Sequence, residues 1–347
     1  MLSASGVIVL VCYLAGSHNN QNKKCPMFTY VRAALLALLI ATQPFTADIA
    51  VADEHDNQKA VLVTGATSGI GLRIAERLAS EGYFVYAGAR KQQDINRLNK
   101  MDNIEAIRLD VTVQQDIDAA VKHIRGAGRG LWGLINNAGV FIGGPVTDVS
   151  IEETIWLFDV NVFGVYRVTQ AFAPLIIESK GRISTIGSTS GIGSLRFFSQ
   201  YSMSKHAIEA FTDSLATEME RFGVGVSVIE PGNYDSKIVE SAWKRMQEKG
   251  YIDEDSPYAA DLKEFMERPA DRRRYKEPDE VADAAMHAMF NEEPKRRYMT
   301  VPNEDEARWA IGSMIRELAE LNDWQAYSFT REELMAMLDE AMAKGTK

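Results

Sequence analysis

With 347 residues, 46% of them hydrophobic, the chain can bury a full core, and its composition excludes a disordered or low-complexity protein. The formal net charge of −10 argues against a nucleic-acid partner, which would want a basic face, and reads as ordinary solubility. Only two cysteines occur, Cys12 and Cys25, and the five histidines are scattered, so the main body offers neither a reactive thiol nor a metal-ligand spacing, and no metal is expected.

The first predicted element is a leader. Residues 33–41 (AALLALLIA) form a short apolar run behind Arg32, with Lys23 and Lys24 upstream and Ala50-Val51-Ala52 following just before Asp53. A basic flank, a short apolar run and a small-residue exit make the pattern of a secretory signal peptide. The run is about half the ~18 residues a membrane span needs. A second apolar run, Val7 to Ala15, precedes it, and Met27 offers an alternative start. Residues 1–56 are therefore read as a signal peptide or membrane-anchor leader, which would export the chain or give it membrane contact; the alternative is a cytoplasmic protein with a spurious leader.

From residue 59 short apolar runs alternate with amphipathic stretches, as a parallel sheet with crossover helices requires. Strands are predicted at Ala60–Val63, Tyr83–Ala89, Ile104–Val111, Leu131–Ile135, Arg182–Ile186, Val226–Ile229 and Tyr298–Val301. Helices are predicted over Ile70–Ser80, from the Ser150/Glu153 capping box towards Ile177, over Tyr201–Phe222, and from Pro278 to about Phe290. The fold class is α/β: one doubly wound parallel sheet of about seven strands with helices on both faces, spanning 57–302. Residues 233–277 break the rhythm with Tyr234, Trp243, Met246, Tyr251, Tyr258 and Phe265 among charges, and are read as a lid. Residues 303–347 form an acidic helical extension, read as a packing or partner helix.

Directly after the first strand comes Thr64-Gly65-Ala66-Thr67-Ser68-Gly69-Ile70-Gly71, leading into a helix. Glycines here allow a tight turn and a close backbone approach to a pyrophosphate at the positive end of the helix, the mark of a Rossmann-type sheet. The second strand exits through Ala87-Gly88-Ala89-Arg90, with an arginine where an acid would read the ribose hydroxyls of NAD. Arg90 favours NADP, and NAD stays open; Ser68, just before Gly69, is small and neutral and adds no charge for a phosphate. Asp110 and Val111 end the third strand, where Asp110 either accepts from the adenine amino group or simply caps the strand.

Tyr201 and Lys205 stand four residues apart and leave one face of a helix. A phenol has an unperturbed pKa of about 10, and a lysine cation about 4 Å away at an effective dielectric near 20 favours the phenolate by roughly 4 kcal/mol. That is worth about three pKa units, enough to make the phenol a working proton donor and acceptor.

Thr64–Gly71, Asn136-Asn137-Ala138-Gly139, Asn161, Ser188, Tyr201/Lys205 and Pro231-Gly232, occurring in this order on an alternating chain, resemble the short-chain dehydrogenase/reductase family over about residues 59–302. The resemblance implies that Tyr201 is the general acid/base. It implies that Lys205 binds the nicotinamide ribose and lowers the tyrosine pKa, that Ser188 holds the reacting oxygen, and that Asn161 holds a water of the proton relay. Asn137, Ala138 and Gly139 would support the cofactor pocket, Pro231 and Gly232 would lie beside the nicotinamide, and Ser236 would contact its carboxamide. Leu131-Trp132-Gly133-Leu134 and Glu230-Pro231-Gly232-Asn233-Tyr234 resemble the retinol and hydroxysteroid dehydrogenase branch. A lipophilic alcohol or carbonyl substrate is then expected. A homodimer or homotetramer built on helices 151–177 and 201–222 follows from the same resemblance. Two alternatives stay open: a catalytically silent dinucleotide-sensing protein, which would show damage to the serine, tyrosine or lysine, and a lyase or epimerase on the same scaffold.

Overall fold

Seven parallel strands form one sheet in the order β3-β2-β1-β4-β5-β6-β7. They are β1 (Ala60–Val63), β2 (Phe84–Ala89), β3 (Ile104–Arg108), β4 (Gly133–Asn136), β5 (Arg182–Ile186), β6 (Gly225–Pro231) and β7 (Arg297–Thr300). The computed structural model describes residues 58–249, 255–267 and 275–345. The expected leader, with both cysteines and Met27, lies outside the described residues, as does Tyr251 of the expected lid.

The strands are short apolar runs because both of their faces are covered. Successive side chains of β1 serve opposite layers. Val61 and Val63 pack with Ile74 and Leu78 of helix Gly69–Ser80 and with Val281 and Ala285 of helix Asp279–Phe290. Ala60 and Leu62 pack with Phe172, Ile176 and Leu215 on the other side. Strand order reverses between β1 and β4, which opens a crevice at the carboxyl ends of the strands.

β3 ends at Arg108, earlier than predicted, because Asp110 turns the chain: its Oδ1 accepts from Thr112 N at 3.0 Å and from Thr112 Oγ1 at 2.7 Å. Two crossover helices not anticipated from the sequence, Gln92–Leu98 and Gln114–Gly126, flank this strand. The long helix predicted after Ser150 runs from Ile151 to Ser179, but a π-helical segment, Asp159–Gly164, interrupts it. Its length and composition would let it cross a membrane, yet half of its apolar window is buried. Val168, Phe172, Leu175 and Ile176 lie in the sheet core, so it is a core helix.

Ser150 caps this helix by accepting from Glu153 N at 3.3 Å. The buried Glu153 carboxylate receives Arg245 Nε at 2.6 Å and Nη2 at 2.8 Å, and the guanidinium lies 3.6 Å from the Trp156 ring. That pair ties helix Ile238–Lys249 to helix Ile151–Phe158. The stretch expected to form a lid, 233–277, contains helices Ile238–Lys249 and Ala259–Glu267. The C-terminal extension is two helices, Glu304–Asp323 and Arg331–Gly345.

Candidate active site

The glycine turn after β1 is shaped for close approach. Gly69 has φ +54°, a left-handed conformation that side chains rarely adopt, and a Cβ built on Gly71 would stand 2.6 Å from Gly65 O and collide with Asn137 Nδ2. The helix it opens has no side-chain cap from Ser68 and no acid in its first turn, so its leading N–H groups suit an anion. Thr64 and Asn137 brace the turn from below. Thr64 Oγ1 accepts from Asn137 N at 2.9 Å and Ala138 N at 3.0 Å, and Asn137 Nδ2 donates to Thr64 O at 2.8 Å and Gly65 O at 3.1 Å. Ala138 fits there because a Cβ on Gly65 would already stand 2.9 Å from its Cα. Ser236 closes the far side, its Cβ 3.1 Å from a Cβ placed on Gly69.

At the exit of β2, Arg90 is largely exposed and its Nη1 lies 3.8 Å from Asp110 Oδ2. Arg97, overlooked in the sequence, donates from Nη2 to Thr67 O at 2.6 Å, so a second guanidinium stands beside the glycine turn. Only its basic character, seven residues beyond Arg90, marks it in the chain. Val111 is buried against Gly164 of the π segment, where an added Cβ would meet Val111 Cγ2 at 2.7 Å.

Asn161 sits in that π segment, 2% exposed. Its Oδ1 accepts from Val140 N at 2.8 Å, and its Nδ2 donates to Val140 O at 2.9 Å and Ser204 Oγ at 3.1 Å. Ser204 Oγ in turn donates to Tyr201 O at 2.7 Å. The carboxamide is thus committed to the chain: it ties the loop after β4 to the helical turn that carries Tyr201. A π segment is a recurrent way to turn a side chain out of helical register at such a position.

Helix Ser199–Glu220 carries Tyr201 and Lys205. Lys205 is 7% exposed; its Nζ donates to Ile186 O at 2.8 Å and lies 5.6 Å from the Tyr201 ring centroid. Burial lowers its pKa to about 8, against the opposing pull of Glu209 one turn further along. Gly139 is the near neighbour of both groups, since a Cβ there would stand 3.5 Å from Asn161 Oδ1 and 4.0 Å from Lys205 Nζ. Ser188, 8% exposed, follows β5; its Oγ accepts from Ser190 N at 3.1 Å, which leaves its hydroxyl hydrogen to donate. Two further serines lie close by in the chain: Ser190 is buried in the same short turn and Ser194 is exposed.

Glu230 precedes Pro231-Gly232 and is itself buried, beside Glu209 and the more exposed Arg297. There desolvation, with Glu209 beside it, pushes its carboxyl up to about 8. Phe141 stands against Tyr201 with ring centroids 5.1 Å apart and against Phe198 at 5.0 Å. Phe265 joins Phe198 at 5.9 Å and Trp243 at 5.1 Å. Tyr201 is therefore flanked by a continuous aromatic wall that reaches Phe265 and Trp243. Among the described residues, no group of three or more His, Cys, Asp or Glu side chains could hold a metal ion.

A doubly wound parallel sheet with a glycine turn after its first strand, and a tyrosine and a buried lysine at its carboxyl edge, defines a nucleotide-binding α/β protein. The chain belongs to the short chain dehydrogenase family, which residues 59–247 match. It is 38% identical to bovine (Bos taurus) D-beta-hydroxybutyrate dehydrogenase, mitochondrial, over 212 residues, covering 57% of this chain and 62% of that protein. It is 33% identical to mouse (Mus musculus) retinol dehydrogenase 16 over 257 residues, covering 70% of this chain and 81% of that one. Its matches thus include the retinol branch that Glu230-Pro231-Gly232 suggested. The chain spans less than two thirds of the length of the hydroxybutyrate dehydrogenases it matches. Among solved structures, actinorhodin polyketide ketoreductase with NADPH is similar at a TM-score of 0.59 and 28% identity, over 71% of this chain and 97% of that one.

Proposed function

We propose that this chain is an NAD(P)-dependent oxidoreductase that interconverts an alcohol and its ketone or aldehyde. The observation that supports it most is buried Lys205, whose Nζ lies 5.6 Å from the Tyr201 ring and donates to Ile186 O, two residues before Ser188 at the carboxyl end of β5, on the same edge as an uncapped glycine turn. The glycine turn would hold the pyrophosphate, and Lys205 the nicotinamide ribose. When bound, the nicotinamide supplies or accepts the hydride. Tyr201 moves the proton to or from the reacting oxygen. Ser188 donates its hydroxyl hydrogen to that oxygen and helps to stabilise its developing charge. Asn161 acts as a positioning residue through Val140 and Ser204. The test is oxidation of NADPH and NADH against a panel of long-chain and steroidal ketones, retinal and 3-oxobutanoate. Saturable binding of NADPH without turnover of any carbonyl would favour the dinucleotide-sensing alternative.

The aromatic wall beside Tyr201 supports a lipophilic substrate, because a polar one would lose its hydration there without new partners. The retinol dehydrogenase among the relatives points the same way. Turnover of 3-oxobutanoate alone would overturn this part of the reading.

Arg90 and Arg97 beside the glycine turn support NADP over NAD, since a guanidinium pairs with a ribose 2′-phosphate. Arg90→Ala is expected to weaken NADPH binding about tenfold, the loss of one hydrogen bond to a charged group, and to leave NADH within twofold. Equal weakening of both would count against NADP selection.

Helices Ile151–Phe158, Val165–Ser179 and Ser199–Glu220 expose Ile151, Ile155, Tyr166 and Met203, and this supports assembly into a homodimer or homotetramer. Light scattering of the purified protein is expected to give two or four chain masses; a monomer at micromolar concentration would reject it.

A further inference from the structure

The C-terminal extension lies beyond the matched residues 59–247, yet it reaches the candidate site. Asn303 caps helix Glu304–Asp323 by accepting from Glu306 N at 2.9 Å, and its Nδ2 lies 3.3 Å from Glu306 Oε1. The other oxygen, Oε2, accepts from Asn233 N at 2.8 Å. A Cβ built on Gly232 would collide with the same oxygen, so the carboxylate is seated directly against this glycine. Further along, Trp309 and Ser313 stand 3.2 and 3.0 Å from a Cβ placed on Gly193, in the loop between Ser188 and Tyr201.

Gly232 follows β6, whose neighbour β5 leads into Ser188; Gly187 N donates to Ile229 O at 2.7 Å between them. The Glu306 carboxylate therefore shares the sheet edge at which the reacting groups meet. The other acid of this turn, Glu230, lies beside Arg297 and Glu209 instead.

We propose that Glu306 biases the site towards the oxidised nicotinamide, whose ring carries a positive charge, over the neutral reduced ring. The inference rests on the cofactor reading above. A fixed carboxylate beside the ring's seat attracts the cationic form and leaves the neutral form almost unaffected. Glu306 is half-buried, so solvent screens its field and the expected preference is about tenfold. For a two-electron couple, tenfold corresponds to a bound potential lowered by about 30 mV. The bound couple becomes a stronger reductant, and the internal equilibrium moves towards the alcohol. Glu306 is a positioning and tuning residue; it takes no proton and forms no bond to substrate.

The test is fluorescence and calorimetric titration of the full chain with NADP+ and NADPH. Glu306→Gln keeps the size of the side chain and an acceptor for Asn233 N–H, and is expected to raise the ratio of the oxidised to the reduced dissociation constant about tenfold. A ratio unchanged within twofold overturns the proposal, whether both constants move together or neither moves. Asn303→Ala loosens the helix cap but leaves the charge, and is expected to keep the ratio. If it shifts the ratio as far as Glu306→Gln does, seating of the helix is the cause and the proposal falls. Should Glu306→Gln not fold, Glu306→Ser carries the same comparison. A wild-type chain that binds neither form would instead refute the cofactor reading itself, and this inference with it.

Discussion

Tyr201→Phe is expected to lower turnover by about 10³-fold and to leave cofactor affinity within about twofold. The first figure is the usual worth of a positioned general acid/base. The second follows because phenylalanine keeps the ring, and with it the contacts to Phe141 at 5.1 Å and to the Lys205 ammonium at 5.6 Å. Only the hydroxyl is lost. Steady-state rates for the best carbonyl of the panel, with NADPH titrated separately by fluorescence, separate the two effects. Undiminished turnover would remove Tyr201 from the chemistry. A rate loss matched by an equal loss of cofactor binding would make it a binding residue only.

Lys205→Met is expected to cut turnover by about 10²-fold while altering stability in a pH-dependent way. Methionine keeps the length and the apolar stem but loses the donor to Ile186 O and the charge behind the phenol. In the folded apoprotein burial holds the Lys205 pKa at about 8, below its ordinary 10.5. Below pH 8 both folded and unfolded chains carry the proton, and the folded chain bears the full cost of a buried cation, about 3 kcal/mol. Between pH 8 and about 10.5 the unfolded chain binds more protons than the folded one, so wild-type stability rises with pH through this window. The variant lacks that term. Urea denaturation at pH 7 and pH 9.5 is expected to show wild type gaining on Lys205→Met as pH rises. A difference independent of pH would mean that the buried amine does not titrate in this range.

The fold was legible because the central strands are short apolar runs and the long covering helices have a 3.6-residue pattern, although periodicity left Gln92–Leu98 and Gln114–Gly126 unmarked. The ends were less legible. β3 stops at Arg108 because the Asp110 side chain captures Thr112, a local bond that hydrophobic pattern does not register. The π segment around Asn161 was hidden for a related reason. Its sequence is ordinary helix, and the partners of Asn161 in the segment, Val140 and Ser204, come from distant parts of the chain. Ser150 and Glu153 announced a helix start correctly, but Arg245, ninety-two residues away in the sequence, takes up the Glu153 carboxylate.

The order of the glycine turn, Asn161, Ser188, Tyr201, Lys205 and Pro231-Gly232 was sufficient to mark the parallel sheet and the family of the chain. Each of these signals is a local spacing fixed by strand, turn or helix geometry. Only the tertiary structure decided that Arg97 stands at Thr67, that Phe265 completes the aromatic wall beside Tyr201, and that Glu306 from the C-terminal extension rests on Gly232. Such contacts join residues distant along the chain, and packing alone chooses which of many acids or aromatics makes them.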